Sequence, residues 1–459
     1  MSKTSVLSGK SLILLFAYAP AGFGHLRVTD ALYHGLPKDV TPLLLGSQDT
    51  SITFIHRLMS IHPVVSAIAR WAEEGWGEDV FTYIYRLFLK RHTKLLYSQV
   101  TTILSERIEV PKTLLIVATH FGLAHQLGAI KQQLIREKKI NVLLVVQVTD
   151  DNPHHIWYVE EADMIFVPSE KTKTELLKYG KRVKLKKVHI EVSAYPIAPV
   201  FEKELTGKKI QSRIQQVGLE NNSTIHVSVP ISGAAVGIRF ITKVIDALHK
   251  KSDRFLFHVV VKVTSYTKSF ISAMKKRPYV VLHVASHDRE VVGLYEQVYV
   301  QYAISLEITK PSEQAFKALC DCGKVGASIL LFSQPVGKQE YDNLDFLRRH
   351  SLIPSKEEYA LLLKKFFKDE KLTYDNIVKQ SFSWRGIELP KGSKNAAEFI
   401  LWNLENGIFT NMIHCKVRPS KGDIHGDELC HNGVYEFWKK VSELVTTRMS
   451  YRSGIRSRT

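Results

Sequence analysis

Short apolar runs alternate with stretches of helical spacing along most of this chain. Ser11 to Phe16 is apolar, Gly22 and Gly24 break the run, and Val28 to Leu36 carries helical spacing up to Pro37. Thr113 to Ala118 and Val142 to Val148 are rich in branched apolar residues, the pattern of strands buried on both faces, and the helical stretch Leu123 to Glu137 lies between them. Ile165 to Val167, the helical Glu170 to Tyr179 ending at Gly180, and Val188 to Val192 extend the alternation. Strands that alternate with helices predict an α/β domain whose parallel sheet is covered on both sides.

Around Pro196 to Gly207 the pattern lapses into a polar connection, and a second series starts with Ile210 to Val217. It continues through a strand at Thr224 to Val229, a glycine loop, a helix at Thr242 to His249, strands at Phe255 to Val263 and Tyr279 to Val284, and a closing run at Ser328 to Phe332. The expected organisation is therefore a first α/β domain over 1–205, a second over 206–355 and a mostly helical extension over 356–459. The segment Thr50 to Ser105 reads as helical, aromatic and basic, and the tail ends in Arg448, Arg452, Arg456 and Arg458.

A length of 459 residues with 45% apolar and 24% charged side chains supports two sizeable cores and argues against extensive disorder. Lys3, Lys10, the apolar run and Ala17-Tyr18-Ala19 imitate a secretory leader. The run is short and flows into a glycine turn, so it reads as a first strand instead. No stretch has the length of a membrane span. Cys320, Cys322, Cys415 and Cys430 make no disulfide framework, which points to a reducing, cytoplasmic setting, with room for a peripheral place on the inner membrane face. A formal charge of +18 calls for an anionic partner, whether nucleic acid, membrane or phosphorylated substrate.

Candidate chemistry gathers where strands end. Gly22-Phe23-Gly24-His25 lets a ligand approach the backbone at a helix start, with an imidazole that titrates near neutrality; an ordinary tight turn is the plain alternative. Thr149-Asp150-Asp151 ends the strand Val142 to Val148, followed by His155 and Trp157. A carboxylate there can accept a proton from a hydroxyl, or can simply cap the next segment. In the second half, Thr309-Lys310-Pro311-Ser312-Glu313 precedes a helix expected at Gln314 to Cys320, whose free N–H groups would face a diphosphate. Gln339, Glu340 and Asn343 supply donors and acceptors for sugar and ribose hydroxyls, and Ser232-Gly233-Ala234-Ala235-Val236-Gly237 is the matching phosphate loop.

These residues, in this order, resemble the family 28 glycosyltransferases and their relatives, the peptidoglycan N-acetylglucosaminyltransferase and the diacylglycerol galactosyl- and glucosyltransferases. The likeness runs over about residues 10 to 355 and includes Val167-Pro168-Ser169 and Ala194-Tyr195-Pro196. It implies a GT-B fold, two Rossmann-like domains facing each other across a cleft, and an inverting transfer that needs no metal or cofactor. The donor would be a UDP-sugar carrying a hexose or N-acetylhexosamine, and the acceptor lipid-linked or membrane-associated. His25 or Asp150 would be the base; Gly22, Gly24, His155 and Trp157 would meet the acceptor; the second-half residues would hold the donor. One departure touches the chemistry: the family's glycines after the threonine-lysine turn are Ser312-Glu313 here, and its ribose-binding glutamate is replaced by Lys317 or Ala318.

Two other readings compete, an epimerase or hydrolase of nucleotide-sugars on the same architecture and a non-catalytic binder of nucleotide-sugars or anionic polymers. The basic runs lack the interleaved aromatics of a nucleic-acid module. Arg86, Lys90, Arg91, Lys181, Arg182, Lys184, Lys186 and Lys187 instead suit an anionic membrane surface. His414, Cys415, His425, Cys430 and His431 match no zinc spacing, so no metal site is expected.

Overall fold

A computed structural model of the protein describes residues 5–9, 11–19, 23–46, 75–107, 111–219, 222–233, 235–326, 328–331, 337–372, 376–414 and 427–456. Two compact units result, the first taking in Met1–Ala21, His25–Ala198 and Ile424–Thr459, the second Gly22–Gly24 and Pro199–Asp423.

The first unit is built on strands β1 (Leu12–Tyr18), β2 (Leu43–Gly46), β3 (Thr113–Ala118), β4 (Asn141–Gln147), β5 (Met164–Val167) and β6 (Ile190–Val192). They lie side by side in the order β2-β1-β3-β4-β5-β6, every neighbouring pair parallel. All six residues of β3 are buried, which explains the absence of polar alternation in its sequence. The helix Phe121–Lys138 follows β3 and ends at Lys139, in the left-handed region at φ 55°. The helix Glu170–Arg182 follows β5 and starts at Ser169, whose hydroxyl accepts from Thr172 N–H at 3.1 Å.

The second unit repeats the plan with β7 (Ile225–Pro230), β8 (Phe255–Lys262), β9 (Val280–Ala285), β10 (Leu306–Thr309), β11 (Ser328–Leu331) and β12 (Gly386–Glu388). Their order is β12-β11-β10-β7-β8-β9, again all parallel. Both units are thus doubly wound, Rossmann-like sheets. In each the chain winds outward from its first strand, then returns to that strand's other side. The reversal lies between β1 and β3 in the first unit and between β7 and β10 in the second, and the loops leaving those strands diverge there.

The stretch from 356 is mostly helical, and its parts belong to different units. β12 adds to the second sheet beside β11, where Gly386 is required because a Cβ would sit 2.9 Å from the Ile329 carbonyl oxygen. The helix Ser393–Glu405 buries Ala396, Ala397, Phe399 and Ile400 in the same core. The last helix, Gly433–Arg456, belongs to the first unit: Trp438 Nε1 donates to the Leu32 carbonyl at 2.8 Å and its ring meets Phe16 edge-on at 6.0 Å. Gly433 abuts Ala194 and Tyr195 so closely that a Cβ would lie 2.4 Å from either carbonyl oxygen.

One expected helix takes another form. Glu313–Leu319 is a 3-10 helix. Gln314 through Leu319 are all buried, so the segment has no solvent face for a longer α-helix to present. Of the aromatic and basic stretch beginning at Thr50, residues 50–74 lie outside the described residues, and the rest forms the helices Gly75–Arg91 and Lys94–Ser105.

Histidines sit deep in both units. Three form a chain across β7, β8 and β9, with His226 Nδ1 2.9 Å from His258 Nε2 and His258 Nδ1 3.3 Å from His283 Nε2. Burial, then the neighbouring imidazoles, pushes His258 down to about 3. Burial, then the charge of Arg86, does the same to His125, also to about 3. Unfolded histidines take a proton near pH 6.5 whereas these two resist it when folded, so their contribution is complete above about 6.5 and is lost progressively as pH falls towards 3. Denaturant midpoints are expected to fall between pH 7.5 and 5. His125→Leu should be less stable at pH 7.5, through the stranded Ile156 carbonyl, yet show a shallower pH slope. An unchanged slope in that variant would remove His125 from the account.

Candidate functional site

In the first unit the loops at the reversal point bring three strand ends to one imidazole. His25 lies in the first turn of the helix Phe23–His34, with its Nδ1 2.7 Å from the Thr119 carbonyl oxygen, just past β3, and 3.2 Å from Thr149 Oγ1, just past β4. A carbonyl can only accept, so Nδ1 carries the proton and the lone pair of the neutral ring is on Nε2. The helix start is clamped to β3 as well: Thr29 Oγ1 donates to the His25 carbonyl at 2.8 Å and lies 2.7 Å from Thr119 Oγ1. Trp157, buried, backs the imidazole with ring centroids 6.1 Å apart. Tyr195 O–H donates to the Thr149 carbonyl at 2.8 Å, which ties the Ala194-Tyr195-Pro196 segment to the same spot.

The two neighbouring aspartates separate by environment. Asp151 is fully buried and accepts from Ser169 Oγ and from Thr172 Oγ1, the latter at 2.8 Å, so it braces the Ser169 cap of the helix Glu170–Arg182. Asp150 is half-buried and follows directly on Thr149. His155 has a different neighbourhood: its ring stacks on Tyr179 at 4.0 Å and its Nδ1 lies 2.8 Å from Asp79. Burial lowers its pKa, against the pull of Glu78 and Asp79. Gly24 stands in the first helical turn, and Gly22 lies outside the described residues.

The sequence reading passed over His120. It lies two residues past β3 and caps the helix Phe121–Lys138, its ring meets that of His25 at 5.0 Å edge to face, and its Nδ1 accepts from Leu123 N–H at 3.4 Å. That bond keeps the proton off Nδ1. The available signal was a Thr119-His120 pair closing an apolar run, the same strand-end logic that had picked out Thr149-Asp150.

In the second unit the corresponding loops leave β7 and β10. Ser232 shapes the first: its carbonyl accepts from Ala235 N–H at 2.8 Å and its hydroxyl from Val236 N–H at 3.2 Å. Tyr266 O–H donates to the Gly233 carbonyl at 2.7 Å. Gly237, at φ 82°, then opens the helix Ile238–Lys251 with no side-chain cap on its first N–H groups. Ala234 lies outside the described residues.

After β10, Thr309 Oγ1 donates to Gln314 Oε1 at 2.5 Å, and Asn343 Nδ2 donates to the Pro311 carbonyl at 3.2 Å. Glu340, buried, accepts from Lys310 Nζ and from Gly337 N–H, the latter at 2.8 Å. So Thr309, Lys310, Pro311, Glu340 and Asn343 come together as one knot, with the Lys310 charge matched by Glu340. Ser312 begins the 3-10 helix without a side-chain cap bond, Glu313 and Gln339 are half-buried, and a helix this short and tight is a poor diphosphate mouth. Lys317 and Ala318 are both buried. Lys317 donates to Glu307, Tyr295 and Tyr299, and Tyr295 O–H donates to Glu307 at 2.7 Å, so this quartet is satisfied internally.

Arg86, grouped on sequence with the basic surface, is buried. Its guanidinium donates to Tyr179 Oη at 3.0 Å and to the carbonyls of His155 and Tyr158 at 2.6 and 2.8 Å. Lys90 is paired with Glu161 at 2.7 Å. Among the described residues no group of three or more His, Cys, Asp or Glu is placed to hold a metal, and no helix is long and apolar enough to cross a membrane. Cys415 and His425 lie outside the described residues.

No protein-family model matches the chain, and no curated protein does. Among solved structures it is similar to the UDP-GlcNAc 2-epimerase of Neisseria meningitidis bound to UDP-GlcNAc, at 11% identity over 95% of this chain and 99% of that one, TM-score 0.47. It is also similar to a UDP-glucosyltransferase from Polygonum tinctorium capable of glucosylating indoxyl, at 11% identity over 95% and 100% of the two chains, TM-score 0.43. A third is Anabaena HepE in complex with UDP and glucose, at 12% identity over 97% and 99%, TM-score 0.41. At these values they fix no function, which has to come from this chain's own side chains.

The two aspartates can be told apart by experiment. Asp151→Asn weakens two hydroxyl bonds at a buried cap and should cost about 1–3 kcal/mol of stability. Asp150→Asn leaves that cap intact and should shift the denaturation midpoint little. Equal destabilisation by both would contradict the division of roles.

Proposed function

We propose that the protein is a glycosyltransferase that moves a hexose or N-acetylhexosamine from a UDP-sugar to a hydroxyl of a lipid-linked or membrane-associated acceptor, with inversion at the anomeric carbon. The observation that carries the proposal is the Nδ1–H bond of His25 to the Thr119 carbonyl, which leaves a basic Nε2 on an oriented ring at the reversal point of the first sheet. In the second unit, the uncapped start of the helix Ile238–Lys251, opened by Gly237 and preceded by the loop that Ser232 folds, offers backbone N–H groups at the equivalent point, suited to a diphosphate.

The reaction needs one proton acceptor and one charge acceptor. Nε2 of His25 takes the acceptor's hydroxyl proton, and that oxygen forms the new bond to C1 from the face opposite the phosphate. The C1–O bond to UDP breaks with its electron pair leaving on the diphosphate, where the helix N-terminus offsets the added charge. Thr149 and Trp157 hold the imidazole in place, while Asp150 is the alternative base. Gln339, at the start of the helix Lys338–Arg349, is the hydroxyl partner there, while the buried Glu340 and Asn343 fix the Thr309-Lys310-Pro311 turn against that helix.

His25→Ala is expected to lower single-turnover transfer from a UDP-sugar by roughly a hundredfold or more while UDP affinity stays unchanged. Ser232→Asp should do the reverse, weakening UDP binding by about tenfold through a like charge at the helix mouth. Calorimetric titration with UDP and a transfer assay on both variants check this. Near-normal turnover in His25→Ala moves the base to Asp150. Altered sugar and free UDP formed without any acceptor would replace transfer by epimerisation or hydrolysis.

A further inference from the structure

Where the chain enters the second unit, residues 201–205 run along the loop 320–326. Val325 N–H donates to the Lys203 carbonyl at 3.0 Å, and Leu205 N–H to the Gly323 carbonyl at 2.9 Å. Between those bonds Glu204 and Lys324 pair as an antiparallel bridge, and their side chains form an ion pair whose carboxylate is exposed. The loop is braced from behind. Arg213, buried, donates to the carbonyls of Cys322, Lys324, Val325 and Gly326, and Arg385, also buried, donates to that of Cys320 at 2.9 Å. At the other end of the segment Phe201 packs on Tyr295 and Tyr299, with ring centroids 5.5 and 5.1 Å away. Both neighbours of residue 202 are therefore tied down.

That residue is Glu202, half-buried, whose Oε1 is sealed from solvent and meets no donor among the described residues. Lys324 is the cation whose charge reaches it, and Lys324 is engaged by Glu204. The Cys320 thiol feels the Glu202 charge, and Arg385, Lys317 and Lys324 bear on that thiol in turn. Arg385, Asp321 and Arg213 bear on Cys322. On its own segment the flanking charges are Lys203 and Glu204, both exposed. Burial pushes the Glu202 carboxyl up to about 7, against the pull of Lys324. Burial, then the Glu202 charge, pushes Cys320 up to about 12, so it stays a thiol and takes no part in titration near neutrality.

We infer that Glu202 is a proton-operated latch on this segment: protonated, it lies folded beside the loop 320–326, and ionised, it draws Lys324 away from Glu204 or moves out to water, which loosens residues 201–205 from the second unit. A buried carboxylate has to be paired or hydrated, and here either remedy undoes a bond that holds the segment. The sign follows from the two states. Detached, Glu202 has its ordinary value of 4.5; attached, about 7. Attachment is strongest below about 4.5, weakens as pH rises and is weakest above about 7. This runs opposite to the effect of His258 in the same unit, which weakens the fold as pH falls.

The test is amide hydrogen exchange on the full chain from about pH 5.5 to about pH 8, with rates corrected for the intrinsic effect of pH. The amides of Leu205 and Val325 should exchange faster than those of β7 and β8, the mark of a local opening, and their protection should fall about tenfold or more across that range. Glu202→Gln, which keeps the shape without the charge, should hold the low-pH protection throughout. Glu204→Gln, which removes the exposed ion pair, should lower protection at every pH and keep the dependence. The inference is overturned by a flat profile in the unaltered protein, by a dependence that survives in Glu202→Gln, or by one that disappears in Glu204→Gln. Exchange of Leu205 and Val325 no faster than that of β7 and β8 overturns it as well. The measurement needs no substrate, so its outcome is independent of the transferase reading.

Discussion

The transfer chemistry proposed for this protein depends on one constraint of chain winding. A parallel strand must be followed by a crossover, and a right-handed crossover covers one face of the sheet. When the chain reverses and adds its next strand on the other side of the first, the two loops leaving the central pair run to opposite faces and leave an opening above the strand ends. Here that opening falls between β1 and β3 in one sheet and between β7 and β10 in the other. No particular side chain is needed to create it. Side chains only decide what it holds: an oriented imidazole in the first unit, an uncapped helix start in the second.

The strands were legible because each buried run is long enough to declare itself. After Thr113, Leu114 to Ala118 has no polar position at all, and only a sheet covered on both faces tolerates that. β2, β10 and β12 were not read, since Leu43–Gly46, Leu306–Thr309 and Gly386–Glu388 are so short that pairing with neighbouring strands, rather than their own pattern, makes them strands. The helix after Ser312 was misjudged for a related reason. Its residues are good helix formers, yet burial on every side leaves only a tight 3-10 path.

At the site, the residue types were readable and their partners were not. His25 and Thr149 stand 124 positions apart, and nothing local says that one ring nitrogen faces both Thr149 and the carbonyl of Thr119. Asp150 and Asp151 look interchangeable in sequence; only the positions of Ser169 and Thr172 show which of them is consumed by a cap. Arg86 misled for the opposite reason. A cation in an aromatic helix suggests a surface, but three acceptors from a distant loop and helix draw it inward, and the apolar neighbours are turned outward as a consequence.

The quartet of Glu307, Lys317, Tyr295 and Tyr299 bears on how this chain can change over generations. Glu307 and Lys317 lie in a medium where neither charge tolerates solitude, and removing one partner of such a pair costs about 3–5 kcal/mol. A carboxylate introduced at position 317 would face Glu307 with no cation between them. Placing a carboxylate at position 317 therefore requires a second change at Glu307, because either single step leaves a buried charge unmatched. The arrangement behaves as a ratchet: once lysine and glutamate are paired in such a medium, neither position is open to a change of charge on its own.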